Sequence, residues 1–228
     1  MKIADLFFSI QGEGRLMGVP SVFVRTTGCP LRCVWCDSDY TSWHPQGETM
    51  TVAQILSRLT DFPTRYVVVT GGEPLIAAGI EELCAGLWAN GYHITIETAG
   101  VTFKETACDL ASVSPKLSNS IPHQREDGRW AERHNRLRLR PDAIQAFMDR
   151  SDYQLKFVIE RAEDIEEVRS ILDSLRGVDP AKVLLMPQGT TRAELDRRGA
   201  WLVEVCKQHG FRFCPRLHIE LFGNRRGT

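Results

Sequence analysis

The chain has almost no excess charge: 28 Lys and Arg stand against 29 Asp and Glu, a formal net charge of −1 over 228 residues. A balance of that kind argues against a nucleic-acid partner, because phosphate binding runs on clustered, unneutralised cations. It argues equally against a polybasic anchor on an anionic membrane surface. Long apolar runs are missing too, and nothing approaches the roughly 20 residues of a membrane span. The opening stretch MKIADLFFSIQGEG holds one Lys and a short apolar run, Leu6 to Ile10, which is not the pattern of a secretion signal. There is no internal repeat, no low-complexity tract and no linker that divides the chain. Disorder is excluded by composition, with 43% hydrophobic residues and five Trp. What remains is a single cytoplasmic domain, 1–228, long enough to bury a core without staples.

Cysteine is present in an odd number, seven, and no secretion signal accompanies it, so a disulfide framework is not expected. Cys29, Cys33 and Cys36 crowd into eight residues, while Cys84, Cys108, Cys206 and Cys214 are scattered. Cys84 and Cys206 fall on apolar helix faces and read as core.

Periodicity predicts an alternation of strands and helices. Ser21–Thr26, Tyr66–Thr70, His93–Glu97, Asp109–Val113, Tyr153–Glu160 and Lys182–Met186 are β-branched or alternating and read as strands. Val52, Ile55, Leu56 and Leu59 make a helical stripe, as do Ile80, Leu83, Cys84, Leu87 and Trp88, and then Ile165, Val168, Ile171, Leu172 and Leu175. Thr191 and Glu194 have the spacing of a capping box opening a helix that reaches about Gln208-His209-Gly210. Phe211–Phe222 reads as a last extended segment. Such βα units imply an α/β fold with a mostly parallel sheet and right-handed crossovers. A surface insertion interrupts the rhythm at about 119–140, rich in Arg and broken by Pro122 and Gly128. Its acids Glu126, Asp127 and Glu132 dilute the charge, so it reads as solvated rather than bound to RNA.

Thiolates are soft ligands that suit iron–sulfur clusters, zinc or copper. Closed structural zinc sites and electron-transfer clusters want four ligands, and the fourth is absent locally. His44 could complete a zinc site, although the paired spacing of zinc ribbons is missing. Three thiolates on a cubane leave one iron open to an exogenous ligand, which is the mark of a catalytic site.

Cys29-x3-Cys33-x2-Cys36 after an early strand, followed by Thr70-Gly71-Gly72-Glu73-Pro74 after the next, resembles the radical S-adenosylmethionine (SAM) enzymes. Further segments resemble one family within them, the 7-carboxy-7-deazaguanine synthases: Ser9 to Gly14 (SIQGEG), Phe23-Val24-Arg25, Cys36-Asp37-Ser38, Glu97 to Gly100, Ser114-Pro115-Lys116, Leu155-Lys156-Phe157, Met186 to Gly189 and the stretch from Arg216-Leu217-His218 to Asn224. The resemblance implies a partial open (β/α)6-type barrel and a lyase acting on a pterin, 6-carboxy-5,6,7,8-tetrahydropterin. The product would be 7-carboxy-7-deazaguanine, on the route to queuosine and related 7-deazapurines. It implies a 4Fe-4S cluster on Cys29, Cys33 and Cys36, SAM regenerated as a true cofactor, Mg2+ held through Ser38, a homodimer and an electron donor such as a flavodoxin. Gly72 and Glu73 would meet the methionine end of SAM, with Trp35, Asp37, Glu97, Ser114, Lys116 and Gln188 around its ribose and adenine. Gln11, Gly12, Glu13, Arg25, Thr70 and His218 would bind substrate, joined by the carboxylate of Thr228.

The residue types suit these roles. Glu13 and Gln11 can accept from and donate to a guanidine-like edge, and Arg25 can clamp a carboxylate with two parallel bonds. Two other readings stay open at this level: a glycyl-radical-enzyme activase with the same cluster, and a non-enzymatic zinc or electron-transfer module.

Overall fold

Strand alternation decides where the site lies. The computed structural model of the chain describes residues 1–228. Its first hairpin pairs β1 (Lys2–Ile10) antiparallel with β2 (Pro20–Thr26), with an irregularity between Ile3 and Asp5. A four-residue helix, α1 (Asp39–Ser42), closes the cysteine loop, and β3 (Glu48–Thr49) pairs with β1 at the sheet edge. The βα units follow: α2 (Val52–Leu59), β4 (Tyr66–Gly71), α3 (Ile80–Ala89), β5 (His93–Thr98) and β6 (Leu110–Val113). Two helices, α4 (Ala131–Leu137) and α5 (Pro141–Arg150), separate β6 from β7 (Tyr153–Ile159). Then come α6 (Asp164–Asp173), β8 (Val183–Pro187), α7 (Arg192–His209), the short β9 (Arg212–Phe213) and α8 (Leu217–Phe222).

The sheet runs β3-β1-β2-β4-β5-β6-β7-β8-β9, parallel from β2 to β9 and antiparallel at β1 and β3. It is open, since β3 and β9 each pair on one side only. The six strands read from the sequence are β2 and β4 to β8. Along them, Val22, Val24, Val67, Val69, Ile94, Ile96, Leu155, Phe157, Val183 and Leu185 share one core with the helices. Period-2 alternation then turns their neighbours, among them Thr95, Ser112, Gln154 and Lys156, to the other face. Those side chains are buried and polar. One face of the sheet makes the core and the other makes the site.

Local chemistry fixes the ends of the helices. Thr51 with Gln54 and Thr191 with Glu194 both form complete capping boxes. Cys84 and Cys206 are buried in the main core, as their helix faces suggested.

Two segments differ from the sequence reading. Phe211–Phe222 is not extended throughout, for Leu217–Phe222 is a helix. The Arg-rich stretch is not merely solvated: Asn119, Ser120 and His134 are buried within it, and it covers the cysteine loop. There Val34 N–H donates to the Ser120 carbonyl at 2.9 Å, and Arg32 N–H donates to His134 Nδ1 at 3.0 Å. Ser120 Oγ lies 2.9 Å from His134 Nε2, so the buried ring is partnered on both nitrogens.

Candidate active site

Parallel strands deliver their functional side chains at their C-terminal ends, where loops can rise around a ligand. Here that end holds a cavity of about 450 Å³. Cys29, Cys33 and Cys36 line it, from the loop after β2. The tip of the β1–β2 hairpin adds Gln11, Gly12 and Glu13; the strands and their ends add Arg25, Thr70, Gly72, Glu97, Ser114 and Lys116; and the C-terminal segment adds His218 and Thr228. Trp35, Asp37 and Ser38 complete the set from the cysteine loop.

Two of the sequence candidates do not line the cavity. Glu73 is fully buried and turned inward, accepting from Thr98 Oγ1 at 2.8 Å, Ala99 N–H at 2.9 Å and Leu75 N–H at 3.3 Å. Its carboxylate ties the loop after β4 to the end of β5, an acid spent on orphan donors. Gln188 is used through its backbone instead: its N–H reaches Ile159 O at 2.8 Å and its carbonyl accepts from Arg198 Nη1 at 2.9 Å.

The three thiols are free, and burial pushes each of them up, Cys29 to about 12. In the metal-free chain they are therefore protonated, and ligation would release their protons. Ser42 Oγ donates to Cys36 Sγ at 3.3 Å, and Trp43 Nε1 donates to Cys33 O at 3.0 Å, so the loop is held from beneath. The turn after β4 comes very close: a Cβ on Gly72 would run into the Gly28 carbonyl and stand 2.8 Å from the Cys29 Cβ. Only glycine lets backbone approach the ligand loop there. Three soft donors on one wall, a glycine backbone beside them and no fourth thiol fit an iron–sulfur cluster with an open position.

Opposite the thiols lies a charged network that sequence reasoning placed only in part. Lys156 on β7, 5% exposed at its side chain, donates to Glu13 Oε2 at 2.7 Å and Glu97 Oε2 at 2.9 Å. Arg216 donates from Nε to Glu13 Oε1 at 2.9 Å, from Nη1 to Gly189 O at 2.6 Å, and from Nη2 to Asp37. Burial alone would raise the Glu13 carboxyl, but the cations Lys156 and Arg216 outweigh it and hold the group well below its usual range. Asp37 follows the same logic through Arg216. His218 stands 4.0 Å from Glu13, and burial lowers it, which leaves a neutral imidazole at pH 7. Its ring packs on Gly12, where a Cβ would overlap it. Lys156 and Arg216 were the missed members. A lysine between Leu155 and Phe157 in a wholly buried strand is a buried charge, and such a charge needs partners.

The site is also short of partners in a way that suits a polar ligand. Gln11 Oε1 and Arg25 Nε are buried with no hydrogen bond. Arg25 reaches Ser38 Oγ from Nη1 at 2.9 Å and lies 3.5 Å from Asp5. Lys116 donates to Ser114 Oγ at 2.8 Å and stands 6.0 Å above the Trp35 ring.

Comparison with known proteins places this geometry. A model of the radical SAM superfamily matches residues 23–196, which contain the three-cysteine loop, and defines the class as radical SAM enzymes. Relatives agree over full length: 7-carboxy-7-deazaguanine synthase of Halobacterium salinarum is 44% identical over 100% of this chain and 93% of its own. The same enzyme of Rhodopirellula baltica is 41% identical over 99% of this chain and 88% of its own. The crystal structure of QueE from Escherichia coli superposes with a TM-score of 0.70 at 25% identity, covering 95% of this chain and 94% of that one. The chain belongs to the 7-carboxy-7-deazaguanine synthase family. The superfamily implies a 4Fe-4S cluster and SAM.

Proposed function

We propose that the chain converts 6-carboxy-5,6,7,8-tetrahydropterin to 7-carboxy-7-deazaguanine with loss of ammonia. The observation that carries the reading is the meeting, in one cavity, of three free thiols with a pre-charged Glu13, a half-free Arg25 and the unpartnered Gln11 amide oxygen. When bound, the cluster and SAM supply a 5′-deoxyadenosyl radical able to take hydrogen from carbon. The chain's part is to hold and orient. Cys29, Cys33 and Cys36 ligate the cluster. Gly72 offers its backbone to the methionine end of SAM, with Glu73 fixing that loop from behind. Trp35, Glu97, Ser114 and Lys116 lie along the path of its ribose and adenine, and Asp37 acts mainly through Arg216.

Glu13, held ionised by two cations, accepts from the N–H edge of the pterin, and Gln11 matches its remaining donor. Arg25, whose Nε faces Asp5 at 3.5 Å and whose Nη1 reaches Ser38, keeps Nη2 to offer to the substrate carboxylate. His218, Gly12 and Thr70 shape the rest of the wall, and residue Thr228 lines the same cavity. Ser38 is the single protein oxygen offered to Mg2+. Mg2+ commonly keeps several waters, so one protein hydroxyl with substrate oxygens would suffice to hold it and would let it offset substrate charge without a carboxylate cage. In the free chain the Ser38 hydroxyl accepts from Arg25 Nη1 at 2.9 Å, a bond that holding Mg2+ there would have to replace.

The reading extends to a cytoplasmic homodimer reduced by a flavodoxin-like donor. No helix is long and apolar enough to cross a membrane. The test is anaerobic: reconstituted protein, SAM, Mg2+ and the carboxytetrahydropterin should yield the deazapurine acid, detected by mass. Absence of that product, or zinc in place of iron and sulfide in the purified protein, overturns the reading.

A further inference from the structure

We infer that Arg32 and the Arg-rich segment around Trp130 form a docking surface for an acidic one-electron carrier protein, set against the outer side of the cysteine loop. The inference rests on the function proposed above, in which the cluster is reduced from outside. The segment 119–140 carries six arginines against three acids, and while Asn119 and Arg138 tie it to β7 and α6, its Asn119, Ser120 and His134 also bond the cysteine loop. Three guanidinium groups gather on one indole: Arg32, Arg129 and Arg133 lie 4.7, 5.5 and 5.6 Å from the Trp130 ring. Arg32 also donates to the carbonyl of Cys29 at 2.8 Å, so the patch is separated from a cluster ligand by a single side chain. Arg129 and Arg133 are exposed, and exposed Val34 of the same loop stands ready for apolar contact.

Like charges on one ring repel, and here one carboxylate answers them: Glu126 pairs with Arg129 at 2.5 Å and accepts from Trp130 Nε1 at 3.1 Å. The patch is left short of negative charge. A nucleic acid would want a row of cations along its backbone. Here Asp127 and Glu132 interrupt the row, and the cations cluster at one point beside the cysteine loop, which suits a compact acidic protein face. On docking, the carrier loses one electron and the oxidised cluster gains it. No bond forms or breaks, and the arginines supply contact and steering alone.

The test uses the reconstituted chain and an acidic flavodoxin. Binding of the oxidised flavodoxin, titrated calorimetrically at rising salt, should weaken steeply with ionic strength. The Arg129→Glu/Arg133→Glu double variant should lose at least tenfold in affinity at low salt and most of the salt dependence. A second variant, Arg133→Glu/Arg136→Glu, keeps the Arg129–Glu126 pair and should behave alike. SAM cleavage driven by dithionite should be unchanged in both, while cleavage driven by reduced flavodoxin should show a KM for the carrier raised by a similar factor. Wild-type affinity in both variants, or no measurable binding by the native chain, overturns the surface. So does a transfer RNA that binds the native chain and is lost in the variants while flavodoxin affinity holds. Loss of deazapurine formation with dithionite would instead strike the proposed function, and leaves the titration to be read by itself.

Discussion

At the residue scale, one carboxylate concentrates the electrostatics of the site. Glu13 is largely buried, 17% exposed at its side chain, and a lone carboxylate so placed tends to take up a proton rather than stay charged. Lys156 and Arg216 reverse that outcome from two sides, each bridging to a further acid, Glu97 or Asp37. Removing one partner of such a network is worse than never having built it, because the other charges stay buried. Lys156→Met should therefore lower the unfolding free energy by about 3–5 kcal/mol, read from urea midpoints. Arg216→Lys keeps the charge but loses the planar fork that reaches Glu13, Gly189 O and Asp37 at once. It should raise KM for the pterin at least about tenfold, the scale of one lost charge-assisted bond, with iron content unchanged. Equal KM in that variant would show that Glu13 needs charge alone. The cysteines make a sharper contrast: alanine at Cys29, Cys33 or Cys36 should abolish iron retention, whereas Cys84→Ala, inside α3, should keep it and lose only stability.

At the element scale, the legible parts are those whose periodicity is clean. β7 alternates Leu155, Phe157 and Ile159 toward the helices with Gln154 and Lys156 toward the site, and the sequence pattern announces it as a strand. The cysteine loop was equally plain, because three thiols beside glycine and aspartate make no sense as core. β1 does not read as a strand from the sequence, since Lys2–Ile10 is mostly half-buried on both faces, next to the edge strand β3, and shows no alternation. α8 misled in the opposite way: Leu217, Ile219 and Leu221 alternate as a strand would, yet six residues after Arg216 close into a helix. Glu73 looked like a ligand-facing acid because a Gly-Gly-Glu turn says nothing of where the carboxylate points. The Arg-rich segment hid its buried histidine among charges. His134 is lowered from 6.5 to about 4, first by burial and then by Arg138 and Lys116. The unfolded chain thus binds a proton that the folded chain refuses, so this histidine's contribution to stability is complete above about pH 6.5 and is lost as the pH falls toward 4. Melting of native protein and of His134→Gln should diverge least near pH 4.5 and most near pH 7.5. Parallel curves across that range would mean that the ring does not anchor the cysteine loop.

At the scale of the whole molecule, the two ends of the chain meet over the cavity. The hairpin tip at Glu13 is held by Arg216, and β1 is held again by the tail: Arg226 donates to Asp5 at 2.7 Å and to Ala4 O at 2.9 Å, and stands 4.0 Å above the Tyr40 ring. Asp5 also accepts from Tyr40 at 2.8 Å and lies beside Arg25, the candidate carboxylate clamp. The tail is therefore coupled to the substrate wall through one aspartate. Arg226 is 45% exposed at its side chain, so its ion pair adds little to global stability, about 0–1 kcal/mol. Its effect is local: it holds residues 224–228 across the mouth of the site, with Thr228 lining the cavity. Arg226→Ala should leave the melting temperature within about 4 °C, the shift expected for a loss under 1 kcal/mol in a domain of this size. It should raise KM for the pterin several-fold while kcat at saturation and cluster content stay the same, because a loosened tail costs ordering on binding and not chemistry. A residue added after Thr228 should give the same signature if the tail acts by closing over substrate. An unchanged KM in both variants would assign the tail to bracing β1 and leave the substrate wall complete without it.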